Sequence, residues 1–268
     1  MKIIISHDVD HVTVWEHKRD LIIPKFVTRS FIEYILGCIA FSEIKNRFQD
    51  FLNNKWQNIE ELMMFDQKHH IPATFFVGVA KDKGMCYSLK NAKFWISNIL
   101  DEGFNAGIHG IAYDNYNHMK NEYALFRKMT NLSKFGVRMH YLQHNQDTLK
   151  LLDKIGYLFD TSTAEMKNPF KFVNMWEFPL HIMDGHVFHK KARWQNQNLN
   201  QAKETTKYII EEAFNKHINY FSILFHDLYF NDSFGTLKDW YIWVISYLKD
   251  NGFEFIDYSR AIKEIEFH

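Results

Sequence analysis

Ile3-Ile4-Ile5-Ser6-His7-Asp8-Val9-Asp10-His11 is an apolar run that stops at two carboxylates flanked by histidines. Three consecutive isoleucines suit a strand buried on both faces, as the strands of parallel sheets are. The polar cluster then lies at that strand's C-terminal end, where α/β folds build their sites. A lone Asp-x-Asp also reads as a solvated loop, so the remaining segments have to decide between the two.

Outward from this run the chain alternates. Val12 to Lys55 is a long excursion whose Phe31, Ile32, Ile35, Ile39 and Ile44, Phe48, Phe51 favour helix, and it reads as a helical insertion over the site, at about 12–55. Ile59 to His69 is helical by its Ile59, Leu62, Met63 spacing, and Pro72 precedes a β-rich run, Ala73 to Val77. A helix at Phe94 to Leu100 closes at Gly103 before a short strand, Asn105 to Ile108. The same grammar gives a helix around Glu122 to Leu132, a strand near Val137, a helix from Asp147 to Lys154 and a strand ending at Asp160. Trp176 to Ile182 and Tyr220 to Phe225 read as strands, and Gln201 to His217 and Leu237 to Lys249 as helices. Phe253 to Ile256 and a helix from Tyr258 to Ile265 close the chain. Strands separated by helices at this spacing predict an α/β fold, a (β/α) barrel of about seven to eight parallel strands. No linker rich in Pro, Gly or Ser divides residues 1–268, so one domain is expected.

Composition limits what the site can serve. The chain has 268 residues, 46% of them apolar, enough to fill a sizeable core. Its 32 basic and 32 acidic side chains cancel, so no global field recruits nucleic acid. Cys38 and Cys86 carry no metal-ligand spacing and read as reduced thiols. The N-terminus shows no secretory signal pattern, which predicts a cytoplasmic protein. No stretch reaches the roughly 18 apolar residues of a spanning helix. Phe31 to Phe41 comes nearest and is read first as a buried helix, second as a patch for peripheral membrane contact or partner docking.

On this map Asp8 and Asp10 follow the first strand, His109 the third, Asp160 ends the fifth and His226 follows Tyr220 to Phe225, while Arg138 sits on the fourth. Burying so many ionisable groups singly would cost several kcal/mol each unless they were paired. A shared catalytic mouth accounts for them together.

The ordered segments Ser6-His7-Asp8-Val9-Asp10-His11, Ala73-Thr74-Phe75-Phe76-Val77, Gly107-Ile108-His109-Gly110, Gly136-Val137-Arg138-Met139-His140-Tyr141, Phe159-Asp160-Thr161-Ser162 and Ile223-Leu224-Phe225-His226 resemble the polysaccharide deacetylase family, carbohydrate esterases with the NodB homology domain. The resemblance covers nearly the whole chain except the excursion. It implies a distorted barrel and metal-dependent removal of acetyl groups from sugars. Asp8 matches the family's catalytic base, Asp10 its metal-binding aspartate and His109 its first metal histidine. Arg138 resembles the arginine that lines the groove and keeps the base ionised, Asp160 the carboxylate that orients the acid, and His226 the histidine that protonates the leaving group. His140 and Tyr141 are expected to line the groove and contact substrate.

Two departures stand out. The family's aspartates are adjacent, whereas Val9 separates Asp8 from Asp10; alternation along an extended segment still aims both the same way. The family's second metal histidine falls four residues after the first, where this chain has Tyr113. Asp114, His118, His7, His11, His140 or water would have to complete the sphere. A weakly bound divalent metal, Zn²⁺ with Co²⁺ or Ni²⁺ as substitutes, is therefore expected through Asp10 and His109, and the site can also be metal-free.

The implied activity is hydrolysis of the amide bond of an N-acetylated sugar, nucleotide- or lipid-linked, during assembly of a cell-surface polysaccharide such as O-antigen or capsule. The alternatives are a metal-independent cyclic-amide hydrolase of the allantoinase type and an inactive carbohydrate-binding relative. Each residue also has a plainer reading: Asp8 as a structural partner of Arg138, Asp10 and His109 as polar rim. His69, His70, His186 and His189 read as surface or loop histidines, and His181 as a satisfied strand residue.

Overall fold

The computed structural model describes residues 1–189 and 194–267. Strand β1 (Lys2–Val9) divides its side chains by alternation. Ile3, Ile5 and Val9 join the large apolar cluster between sheet and helices, while Ile4 joins a smaller cluster inside the curl of the sheet. His7 follows the outward set, with Nε2 at 2.9 Å from Asp66 Oδ2, and Ser6 the inward set, accepting from the Arg138 guanidinium. Asp8 and Asp10 therefore share the inward side with Val9 buried between them, which explains the spaced aspartates.

Helices α1 (Ile22–Ile35) and α2 (Phe41–Leu52) occupy the excursion, followed by α3 (Ile59–Lys68) and β2 (Thr74–Val77). The unit then repeats as α4 (Leu89–Asp101), β3 (Asn105–Gly110), α5 (Tyr116–Thr130), β4 (Val137–Met139), α6 (Thr148–Ile155) and β5 (Phe159–Asp160). Next come β6 (Phe170–Phe172), β7 (Met175–Glu177), β8 (Leu180–Met183) and the short α7 (Asp184–His189). The chain ends with α8 (Leu199–Asn215), β9 (Tyr220–Leu224), α9 (Gly235–Asp250), β10 (Glu254–Phe255) and α10 (Tyr258–Phe267).

The strands lie in the order β8-β9-β1-β2-β3-β4-β5-β7, every neighbouring pair parallel, with β6 antiparallel on the far side of β7. β7 and β8 are successive parts of one extended stretch: β7 pairs with β5 and β8 with β9, so the chain itself bridges the two edges of the curled sheet. One flank of β1 is shared, since Lys2 and Ile3 pair with β10 whereas Ser6 to Val9 pair with β2. The sheet splits there, and Tyr258, Ala261 and Ile262 of α10 pack with Ile4, Phe76 and Phe159 in the inner cluster. That wedge is the distortion of the barrel.

The excursion is anchored by buried charge as well as by the contacts of Phe26 with Phe51, Trp56 and Phe234. Arg47 of α2 is buried, donating to Glu33 Oε2 at 2.7 Å, Ser30 Oγ at 2.8 Å and the Ser233 carbonyl at 2.9 Å, with its guanidinium 4.4 Å from the Phe234 ring centre. Arg29 takes the other Glu33 oxygen at 2.7 Å. Burial alone would push the Glu33 carboxyl up, but Arg29 and Arg47 hold it below its ordinary value. The buried residues of α1 are thus Ser30 and Glu33; Phe26 packs against the core, while Phe31, Tyr34 and Ile35 are exposed. The buried-helix reading of Phe31 to Phe41 is corrected accordingly: Ile35 is 78% and Phe41 66% exposed. Among the described residues no helix is long and apolar enough to cross a membrane.

Candidate active site

The parallel strands bring their C-terminal ends to one mouth. Asp8 lies at the end of β1 and Asp10 just beyond it, His109 near the end of β3, Arg138 in β4 with His140 after it, Asp184 directly after β8, and His226 two residues past β9. A cavity of about 420 Å³ opens there, walled by Asp8, Asp10, His109, His140, Asp184 and His226.

Asp8 is held by a fully buried cation. Arg138 is fully buried and donates from Nη1 to Asp8 Oδ1 at 2.9 Å. Its other donors go to Ser6 Oγ at 2.8 Å, Tyr258 Oη at 3.1 Å and the Thr161 carbonyl at 3.2 Å, and its face lies 4.5 Å from the Phe76 ring centre. Burial pulls the guanidinium's pKa down, yet Asp8 and its other partners raise it overall. The second Asp8 oxygen, Oδ2, stands 3.8 Å from His109 Nε2 and faces the cavity.

Beside it, Asp10 Oδ1, His109 Nε2 and His140 Nδ1 converge, at 3.1 Å for Asp10 to His109, 3.3 Å for Asp10 to His140 and 3.0 Å between the two rings. The far nitrogen of each ring settles its tautomer. His109 Nδ1 is 3.0 Å from the Arg138 carbonyl and His140 Nε2 is 3.2 Å from the Lys83 carbonyl. A carbonyl only accepts, so both far nitrogens carry protons and, in the neutral rings, both near nitrogens are bare. Two bare nitrogens and a carboxylate oxygen this close repel one another unless a positive centre lies among them, a proton on His140 or a cation. Burial lowers His140's pKa, but the Asp10 carboxylate more than reverses this. Burial likewise raises Asp10, which His140 and His109 hold well below its usual range. Two imidazoles oriented by backbone carbonyls plus one carboxylate form a donor set that fits a divalent metal with positions left open. A second trio, His17, Asp20 and Cys86, is satisfied internally, with Cys86 donating to Asp20 at 3.3 Å and His17 Nδ1 2.9 Å from the same carboxylate.

His226 lines the same cavity. Its Nδ1 lies 3.0 Å from both oxygens of buried Asp184, its backbone N–H donates to the same carboxylate at 2.7 Å, and Nε2 points back to within 3.7 Å of Asp10 Oδ2. Burial would make this imidazole harder to protonate; Asp184 outweighs that, with Asp10 and Asp8 adding to it, and the pKa stands well above its ordinary value.

No protein-family model matches the chain, and no curated protein matches its sequence. Solved structures do. A protein of Mycobacterium smegmatis described as a polysaccharide deacetylase superposes with a TM-score of 0.68 at 13% identity, over 99% of this chain and 90% of that one. The fold is that of the polysaccharide deacetylases. The deacetylase Bc1974 of Bacillus cereus shares it with a TM-score of 0.50 at 14% identity, over 96% of this chain and 91% of its own. So does the Puue allantoinase, with a TM-score of 0.63 at 12% identity over 97% and 87%.

Within this polysaccharide deacetylase fold the chain arranges its charges in its own way. Asp160 does not orient His226. Its β5 register faces Glu177 on β7, where Ser162 Oγ donates to it at 2.5 Å. Burial raises the pKa of both carboxyls, and the Asp160 charge against Glu177 raises that of Glu177 further. The expected place of Asp160 beside the histidine belongs to Asp184, which sequence reasoning passed over. The signal was present, since Asp184 directly follows an apolar strand just as Asp8, His109 and His226 end or follow theirs. His140, expected in the groove and as one of the residues able to complete the metal sphere, lines the cavity and faces Asp10 and His109. Tyr113 stays out of the cavity wall, with Lys83 4.9 Å from its ring centre, and Asp114 and His118 are exposed. His7 is spent on Asp66 and the Phe225 carbonyl, and His11 stacks on Trp56 at 4.6 Å.

Tyr141 lines the cavity beside His140 with a left-handed backbone, φ 57°, followed by Leu142 at φ 52°. Such residues cost about 1–3 kcal/mol and cluster at functional sites. His186 and His189, expected on surface loops, also line the cavity, and His189 Nε2 lies 2.9 Å from Arg29 Nη2.

The His226 to Asp184 pair sets a pH dependence. If His226 works protonated, activity falls as pH rises through its pKa. Asp184→Asn removes the largest charge raising that pKa, so the basic limb of kcat/KM should move to lower pH. A pH–rate profile of the variant checks this, and an unmoved limb would show that His226 does not titrate in turnover.

Proposed function

We propose that this protein is a hydrolase that removes the acetyl group from an N-acetylated sugar, releasing acetate and a primary amine. The observation that supports the reading most is that two unlike groups line one cavity: a carboxylate held by Arg138, and an imidazole whose protonated form Asp184 favours. Amide hydrolysis needs one group to take a proton and another to give one. Asp8 Oδ2 is the group to take a proton from the attacking water. His226 Nε2 is the group to give one to the departing nitrogen as the carbon–nitrogen bond breaks, with Asp184 stabilising the imidazolium until it does. Asp10, His109 and His140 would hold a divalent cation, Zn²⁺ or in its place Co²⁺ or Ni²⁺. Bound there, it would supply Lewis acidity at the acetyl carbonyl.

A cavity of about 420 Å³, walled on one side by His11 and Arg29, suits a single sugar better than an extended polymer, since small-ligand sites span about 300–1,000 Å³. We take the sugar to be presented on a nucleotide or lipid carrier, as in the assembly of capsule or O-antigen. Incubation with a panel of N-acetylated free, nucleotide-linked and lipid-linked sugars should generate amine and acetate in equal amounts. Ring opening of allantoin, with no amine from any acetylated sugar, would replace this reading by the cyclic-amide one.

A further inference from the structure

The catalytic cavity is not isolated. A second, larger one of about 1020 Å³ adjoins it, and the two share His11, Arg29, Tyr141, Leu228 and Tyr229 in their walls. Away from this junction its lining is mainly apolar: Leu21, Ile22, Pro24, Phe26, Ile32 and the indoles of Trp56 and Trp194. Most of that lining comes from α1, the helix whose inward residues are Ser30 and Glu33. Ile32 of the cavity wall continues along the same helix face to Ile35 and Leu36, which are 78% and 57% exposed. An apolar surface of this extent, open to solvent, has a function more often than not.

Charge marks the junction. Arg29, in the wall of both cavities, and Lys25, in the wall of the apolar one, stand four residues apart on α1 and so on one side of it. Among the described residues Lys25 has no ion-pair partner, and Arg29 pairs with Glu33 through Nε, with His189 and Tyr229 also against its guanidinium. From the strand ends outward, the order is a polar cavity able to take one sugar, a pair of cations, and an apolar trough.

We propose that the substrate is a sugar joined through phosphate to a long hydrocarbon chain, with the sugar at Asp8 and His226, the phosphate at Arg29 and Lys25, and the hydrocarbon in the trough along α1. This rests on the deacetylase reading above and narrows its carrier to the lipid kind. A nucleotide would place a polar base and ribose in a trough that offers them chiefly aliphatic and indole surface, leaving their polar groups unpaired.

The test compares two phosphodiesters of whichever acetylated sugar the protein turns over, one farnesyl and one methyl. The farnesyl ester should show kcat/KM higher by at least about tenfold, the factor that two buried methylenes supply. Ile32→Asn, which removes apolar surface without adding a charge beside Arg29, should erase this difference by lowering the farnesyl rate, and Ile32→Leu should keep it. Equal rates for the two esters, or a preference that survives Ile32→Asn, would overturn the proposal. A binding arm stands apart from hydrolysis: nitroxide-labelled farnesyl phosphate should quench tryptophan fluorescence saturably, about tenfold more weakly in Ile32→Asn. If no sugar yields amine but quenching behaves in this way, the deacetylase reading fails and the lipid-phosphate site remains. If turnover is normal but quenching is absent, the lipid site fails alone.

Discussion

Asp8→Asn and His226→Ala should each lower kcat by about 10² to 10⁴, because a positioned proton-transfer group acts chiefly in the transition state. Asparagine keeps the shape of Asp8 and an oxygen for Arg138 Nη1, but it cannot take a proton. It also leaves the fully buried Arg138 without its counter-charge, and breaking a buried pair costs about 3–5 kcal/mol. Rates must therefore be normalised to folded protein, read from the near-ultraviolet dichroism of the packed Tyr258, Phe76 and Phe159 rings. His226→Ala likewise leaves the buried Asp184 carboxylate without its cation, though that carboxylate still accepts the residue 226 backbone N–H, so the same normalisation applies. The double variant should lose far less than the product of the two single losses, since both groups serve one turnover. Near-normal kcat in folded Asp8→Asn or in His226→Ala would reject that residue's role.

What the chain reveals in advance follows a physical rule. β1 and β9 are buried on both faces and announce themselves by the apolar runs Ile3 to Ile5 and Ile223 to Phe225, and the polar residues that follow, Asp8, Asp10 and His226, mark the mouth. β5, with two residues, and the successive β7 and β8 lack that length, so the register that turns Asp160 toward Glu177 is set by strand pairing far away in sequence. Periodicity also shows that a helix has two faces without showing which one is inward. Phe31 to Phe41 misleads because Arg47, 14 residues from Glu33 and 17 from Ser30, reaches back to make the polar side of α1 the buried one. His140 is a subtler case: Arg138 and His140 share a side by alternation, but the left-handed turn at Tyr141 and the Lys83 carbonyl that fixes the ring come from elsewhere.

Stripping divalent metal should abolish amine release, and Zn²⁺, Co²⁺ or Ni²⁺ should restore it, but the sharper expectation concerns His140. The resemblance alone, with Tyr113 in the second histidine's place, implies two protein ligands and weak binding. The geometry instead brings a third donor, His140 Nδ1, within 3.3 Å of Asp10 Oδ1 and fixes its tautomer through the Lys83 carbonyl. Losing an outer-shell partner of a metal ligand typically costs 10- to 100-fold in affinity, and losing a donor atom itself should cost at least the upper end of that range. His140→Ala should accordingly weaken Co²⁺ binding by about 100-fold or more and alter the cobalt absorption bands, a readout independent of turnover. Asp10→Ala should do the same, whereas Tyr113→Phe should leave both unchanged, because Tyr113 lies outside the wall. If His140→Ala binds Co²⁺ as the parent protein does, the third donor is lost and the two-ligand reading returns. If turnover persists in excess chelator, proton transfer by Asp8 and His226 proceeds with the acetyl carbonyl polarised by side-chain donors alone, and the trio of Asp10, His109 and His140 is held together by a proton.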